Sequence, residues 1–436
     1  MAKGFGSEDA AQEEIESAVN DAVRRAKSAL PQGVSLELQP PGQQRQPTAL
    51  KIGVALTQRG LGFQGQPHRG IVWAAARSMI LTATTLAKKT TIASIYFLVC
   101  LAIGFSIEAA ACTRVVYKGP NDTVITGRTM DFSIEIPANQ WIFPRGTKRS
   151  GEVGKNSIEW VSKYGSVGVS TWDIAIADGM NEKGLVTNLL WLVESEYPTF
   201  DKQGDTPGMA ISLWAQYVLD NFATVAEAVK ALGQESFAVV SDFIPGTEKF
   251  TTVHLSISDA SGDSAILEYI DGRLVIHHDP AYTVMTNSPP FEEQLAITKY
   301  WQNIPGKAFL PGSVTAADRF VRASFFLDAI PQTDDTRTAV ASVFSVIRNV
   351  SVPYGFEIEG FPNLSTTRWR SLADQKDLVY YFETALTPNI FWVDLKKIDF
   401  SEDAGTRKLD LSDHQTYTGE VSAQFEHAEP MRFLGL

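Results

Sequence analysis

The stretch Glu108-Ala109-Ala110-Ala111-Cys112-Thr113-Arg114 marks the border between two kinds of sequence. Before it, residues 90–107 carry no charge and include the run Ile95-Tyr96-Phe97-Leu98-Val99-Cys100-Leu101-Ala102-Ile103, with Lys88 and Lys89 just upstream. A basic flank, an apolar stretch and a small-residue A-x-A site together match a secretory signal, cut here after Ala111 so that Cys112 becomes the first residue. Read from Met79, residues 79–111 are that signal, and the expected location is periplasmic or secreted. Residues 1–78 are then a disordered or over-extended front, Pro/Gln-rich over 31–46 and Gly/Gln-rich over 60–70. The rival reading is a cytoplasmic tail with an uncleaved anchor, because the uncharged run lies at the short end for spanning a bilayer. Glu108 and the alanine triplet favour the cut.

The chain has 2 cysteines, Cys100 inside the signal and Cys112 after it. A lone cysteine in an exported protein is a free reactive thiol or half of an intermolecular bridge. A thiol of ordinary pKa, about 8.5, is mostly protonated at neutral pH. At a new N-terminus, its own α-amine (pKa about 7.7 to 8) is at hand to act as general base. The competing use of such a cysteine is lipid attachment, which leaves a membrane-anchored binding protein; the Leu usually found three residues before a lipidated cysteine is missing.

With 436 residues, 44% hydrophobic and 20% charged, the composition is that of an ordinary globular protein. A formal charge of −12 argues against a nucleic-acid partner. Residues 112–436 read as one domain. Short β-branched or apolar runs over 113–118, 123–130, 165–172, 174–180 and 184–192 predict strands. Helical spacing predicts helices over 209–222, from Thr224, and over 290–303, 316–329 and 334–349. Ser261-Gly262 and Asp271-Gly272 read as hairpin turns within an alternating stretch over 251–278, and a final β block spans 366–399. Strands and helices in separate blocks indicate an α+β layered architecture. No HExxH, CxxC or Gly-rich phosphate loop occurs, so no metal and no cofactor are expected. His277 and His278 are adjacent on a strand, point to opposite faces and read as a satisfied or solvated pair.

Five motifs in order narrow this further: Cys112-Thr113-Arg114, Gly127-Arg128-Thr129-Met130-Asp131, Asp178-Gly179-Met180-Asn181-Glu182-Lys183-Gly184-Leu185, Met285-Thr286-Asn287-Ser288-Pro289 and Asp318-Arg319-Phe320. Together they resemble the choloylglycine hydrolase family, N-terminal-nucleophile amidases that include penicillin V acylases and conjugated bile salt hydrolases. The resemblance implies a four-layer αββα sandwich and a small-molecule N-acyl amide as substrate. It makes Cys112 the nucleophile, sets Arg128 beside its sulfur and Asp131 on the α-amine, gives Asn287 an oxyanion-donor role and makes Arg319 an electrostatic support. Opposite charge beside the sulfur would favour thiolate whatever the family. Read alone, Arg128 with Asp131 is a turn-stabilising ion pair, Asn287 a turn residue and Arg319 a surface arginine. Asn181 reads as a structural turn residue, with Glu182 and Lys183 solvated. Trp191 stands where relatives commonly carry Asn or Tyr; its N–H remains available to an oxyanion, and its indole offers an apolar wall, with Phe132 as a second wall. The family often forms tetramers, which leaves a homotetramer open. Penicillin V, N-acyl homoserine lactones and conjugated bile salts are the candidate substrates, in that order.

Overall fold

A computed structural model describes residues 112–247, 249–304, 310–356, 365–387, 389–412 and 415–436. The expected signal at 79–111, the segment 1–78 and Cys100 lie outside the described residues. Strands and helices follow in blocks. The first block holds β1 (Thr113–Lys118), β2 (Val124–Phe132), β3 (Gln140–Phe143), β4 (Lys148–Ser150), β5 (Glu159–Val161), β6 (Ser166–Thr171), β7 (Ala175–Asn181), β8 (Val186–Trp191) and β9 (Gly208–Ala210). Helices α1 (Trp214–Asn221) and α2 (Val225–Leu232) come next, then β10 (Ala238–Val240), β11 (Val253–Ser258), β12 (Ser264–Ile270), β13 (Arg273–His278) and β14 (Val284–Thr286). Helices α3 (Phe291–Gln302), α4 (Ala316–Ala329) and α5 (Thr336–Asn349) precede β15 (Thr366–Asp374), β16 (Val379–Thr384), β17 (Phe391–Asp394), β18 (Arg407–Leu409), β19 (Gly419–Glu420) and β20 (Glu426–His427).

Two sheets carry the fold. One has the order β14-β1-β2-β15-β16-β17-β19, the other β13-β12-β11-β8-β7-β6-β3-β18-β20. Helices α4 and α5 pack on β1, β2, β14 and β15 with α3 beside α4, while α1 and α2 cover the second sheet. The result is the expected α+β αββα sandwich. Strand β2 is buried along its whole length, as a strand covered on both faces must be. Its alternation serves two cores: Arg128, Met130 and Phe132 face the second sheet, while Gly127, Thr129 and Asp131 face the helices. A Cβ on Gly127 would lie 3.1 Å from Val343 of α5, so glycine lets the helix approach.

Local chemistry accounts for the boundaries. Thr224 accepts the Glu227 N–H at 3.2 Å while Glu227 reaches back to the Ala223 N–H, which starts α2 where the sequence predicts. Asp335 caps α5 by accepting the Thr338 N–H at 3.0 Å. Both predicted hairpin turns form, with positive φ at Gly262, Asp271 and Gly272. The helix expected over 209–222 begins later: Gly208–Ala210 pairs in parallel with Ala238–Val240, and the α-helix opens only at Trp214. Short apolar spacing fits either element, and here strand pairing wins.

Candidate active site

Strand register brings the motifs together. β1 pairs antiparallel with β2 (Thr113↔Thr129) and with β14 (Thr113↔Thr286). Continuing by one residue sets Cys112 opposite Met130 on one side and Asn287 on the other. The side chain of Cys112, 3% exposed, therefore lies on the inter-sheet face. Its Sγ accepts the Asp131 backbone N–H at 3.4 Å and Arg128 Nη2 at 3.7 Å, and lies 3.9 Å from Met130 Sδ. Burial pushes the thiol pKa up; Arg128 pulls it down but does not outweigh burial.

Asp131 points to the helix side. Thr129 Oγ1 donates to its Oδ2 at 3.0 Å, Thr367 Oγ1 donates to Oδ1, and Arg319 Nη1 lies 3.9 Å from Oδ2. Burial raises its carboxyl, opposed by Arg319 and the two threonines. Arg319, on α4, is fully buried: Nη1 donates to the Cys112 carbonyl at 2.7 Å and to Thr113 Oγ1, and Nη2 donates to Asn287 Oδ1 at 3.2 Å. Burial pushes its pKa down to about 10, against the pull of Asp131 and Cys112. One guanidinium thus ties together the nucleophile's backbone, Asp131 and Asn287, and the surface reading of Arg319 does not hold.

Asn287 is more than a turn residue. Its Nδ2 donates to the Trp191 carbonyl at 2.6 Å, and Gln294 donates to the Asn287 carbonyl. An amide nitrogen carries two hydrogens, and the bond to Trp191 uses one of them. The β7–β8 ladder covers Asp178–Met180 against Val186–Asn188, so Trp191 lies beyond its end. The Trp191 ring meets Phe132 edge-on at 6.2 Å, Phe132 meets Trp172 at 6.0 Å, and Lys249 Nζ sits 4.8 Å from the centroids of both Phe132 and Trp191. The two predicted walls are thus in contact.

The remaining contacts set aside the turn-pair alternative for Arg128 with Asp131 and the solvated reading of Glu182. Arg128 pairs with Asp178, not Asp131: Nε lies 3.5 Å from Asp178 Oδ2, Nη1 donates to the Ala177 carbonyl at 2.7 Å, and the Trp369 ring lies 4.9 Å beneath the guanidinium. Asp178 also accepts from Asn188, Ser371 and Tyr380. Its place in the Asp178-Gly179-Met180-Asn181 motif was the available signal. Gly179 is there because a Cβ would lie 2.6 Å from the Val167 carbonyl oxygen. Thr367 gave no signal. Asn181 is structural, donating to the Leu219 and Phe222 carbonyls. Lys183 is exposed, whereas Glu182 is partly buried and pairs with Arg145. His277 and His278 are satisfied separately, by Glu268 and Asp263. Among the described residues no His, Cys, Asp and Glu group is arranged to hold a metal ion, and no helix is long and apolar enough to cross a membrane.

Comparison with known proteins finds relatives over this region. A family model described as linear amide C–N hydrolases, choloylglycine hydrolase family, matches residues 112–417. A penicillin V acylase of Pectobacterium atrosepticum is 50% identical over 361 residues, covering 78% of this chain and 96% of that protein. A bile salt hydrolase/transferase of Clostridium perfringens is 29% identical over 347 residues, covering 72% and 99%. The solved structure of penicillin V acylase from Agrobacterium tumefaciens superposes with a TM-score of 0.70 at 54% identity, covering 74% of this chain and 100% of that one.

Proposed function

The chain belongs to the choloylglycine hydrolase family of linear amide C–N hydrolases, and from that premise we propose that it is an exported acylase of the penicillin V type whose nucleophile is Cys112, freed at the N-terminus by cleavage after Ala111. What supports the nucleophile is the convergence on Cys112 Sγ of the Asp131 N–H and Arg128 Nη2, two donors that stabilise a developing thiolate.

In this reading the freed α-amine of Cys112 accepts the thiol proton, and Sγ attacks the acyl carbonyl carbon. The carbonyl oxygen takes up the electron pair and meets the second Asn287 N–H and the Trp191 backbone N–H. Collapse breaks the C–N bond as the α-ammonium returns its proton to the leaving amine, leaving a thioester. Water, deprotonated by the same α-amine, attacks the thioester, and the acid departs as the thiol regains its proton. Asp131 holds the α-ammonium, and Arg319 fixes the Cys112 carbonyl. The Phe132–Trp191 wall favours aromatic or long acyl groups.

Two measurements test this. Protein beginning at Cys112 is assayed against penicillin V, N-acyl homoserine lactones and glyco- and tauro-conjugates; penicillin V is expected to turn over fastest, and Cys112→Ser to abolish turnover without unfolding. The intact mass of the exported protein is expected to match an unmodified Cys112 terminus. A diacylglycerol adduct, or a Cys112→Ser variant with full activity, overturns the reading. Location is periplasmic or secreted, and a homotetramer is the assembly proposed, read by light scattering.

A further inference from the structure

Glu268 is a buried carboxylate that takes no part in the chemistry just described. It is 1% exposed and lies on β12. The β11–β12 register, Leu255↔Leu267, brings His254 across from Glu268, and the β12–β13 register, Glu268↔Val275, puts His277 two residues along on the same face. His254 Nδ1 accordingly meets Oε1 at 2.9 Å and His277 Nε2 meets Oε2 at 3.3 Å. The backbone N–H of Phe291 donates to both oxygens, at 3.2 and 3.1 Å.

Phe291 is the first residue of α3, and the residue at its cap position, Pro290, makes no side-chain cap. A helix start leaves N–H groups without partners and carries positive partial charge. Glu268 supplies the missing cap from another strand. From the next turn, Gln294 donates to the Asn287 and Pro289 carbonyls and accepts from Thr286 Oγ1 at 2.7 Å. The Phe291 ring packs on Tyr282, 4.9 Å away, and on His277, 5.2 Å away. The turn 287–290 is thus held at one end by β14 and at the other by a helix start fixed to Glu268.

We propose that Glu268, bracketed by His254 and His277, is a positioning residue that fixes the start of α3 and through it aims the Asn287 amide at the oxyanion. This rests on the amidase reading above, and its consequence is specific. Glu268 acts on the rate only through Asn287, so the two residues are coupled.

The test is a double-mutant cycle on protein processed to begin at Cys112, comparing wild type, Glu268→Gln, Asn287→Ala and the double variant on a phenoxyacetyl amide. Glu268→Gln is expected to lower kcat about tenfold to a hundredfold with KM within about twofold, and to cost less than about twofold when Asn287 is already alanine. An equal loss in both backgrounds marks a merely structural residue and overturns the proposal, as does an unchanged kcat. If Glu268→Gln does not fold, His277→Gln removes one hydrogen bond and is expected to give about a threefold to tenfold loss with the same coupling. A wild type that cleaves no amide overturns the amidase reading, and is distinguished from failure of this proposal because it is measured before any variant.

Discussion

Arg128 Nε lies 3.5 Å from Asp178 Oδ2 across the space between the two sheets, and neither side chain is more than 1% exposed. Removing one partner of such a pair leaves the other charge buried without compensation. Asp178→Asn is therefore expected to destabilise the protein by about 3 to 5 kcal/mol in urea unfolding. It also frees Arg128 from its orientation toward Cys112 Sγ, so kcat is expected to fall as well. A variant of unchanged stability removes the buried pair from the account of the fold.

Thr367→Val tests the hydrogen bond to Asp131. That bond favours the charged carboxylate, so its loss raises the Asp131 pKa beyond what burial already does. The acid limb of the kcat/KM profile is expected to move to higher pH, while the alkaline limb stays. The rate at neutral pH should fall by about threefold to tenfold. An acid limb that moves to lower pH, or not at all, contradicts the role given to Asp131.

These two residues also show where the sequence stops speaking. The stretches that bring Cys112, Arg128, Asp131 and Asn287 together are legible as short motifs, and the β-branched and apolar runs over 113–118 and 123–130 predict the strands whose register joins them. Thr367 meets Asp131 through the β2–β15 pairing, 236 residues apart in sequence, and nothing local to Thr366–Asp374 reports that partner. Asp178 stood in a quoted motif, yet its charge partner was set by the stacking of two sheets, which no strand pattern encodes. Helix 316–329 was legible with its ends, whereas the depth of Arg319 was not, since the helix's buried face depends on which sheet it covers.

Glu268 predicts an acid-stability difference. Burial opposes its ionisation, but hydrogen bonds from His254, His277 and the Phe291 N–H outweigh that and hold the carboxyl down to about 2, below the 4.5 of an ordinary Glu. A depressed carboxyl stabilises the fold fully above the unfolded pKa and loses that contribution as pH falls through the folded one. Between pH 4.5 and 2 wild type is thus expected to lose about 3 kcal/mol that Glu268→Gln never had. Unfolding free energies of the two proteins, followed across that window, should converge toward acid. Parallel curves refute the assignment.

The proposed function gives Trp191 two separable roles, and one substitution tells them apart. The residue is 9% exposed; its ring packs on Phe132, its carbonyl accepts from Asn287 and its N–H lies beyond the β7–β8 ladder. Trp191→Leu keeps an apolar group and the whole backbone, so the oxyanion donor survives while the flat wall is lost. An aromatic contact of this kind contributes about 0.5 to 1.5 kcal/mol beyond the area it buries. KM for a phenoxyacetyl amide is therefore expected to rise about fivefold to thirtyfold, with kcat within about threefold and KM for an acetyl amide nearly unchanged. Steady-state kinetics on that matched pair decide it. If kcat collapses while KM holds for both, the ring acts on the reacting centre and not on the acyl group, and the substrate preference assigned to the Phe132–Trp191 wall is wrong.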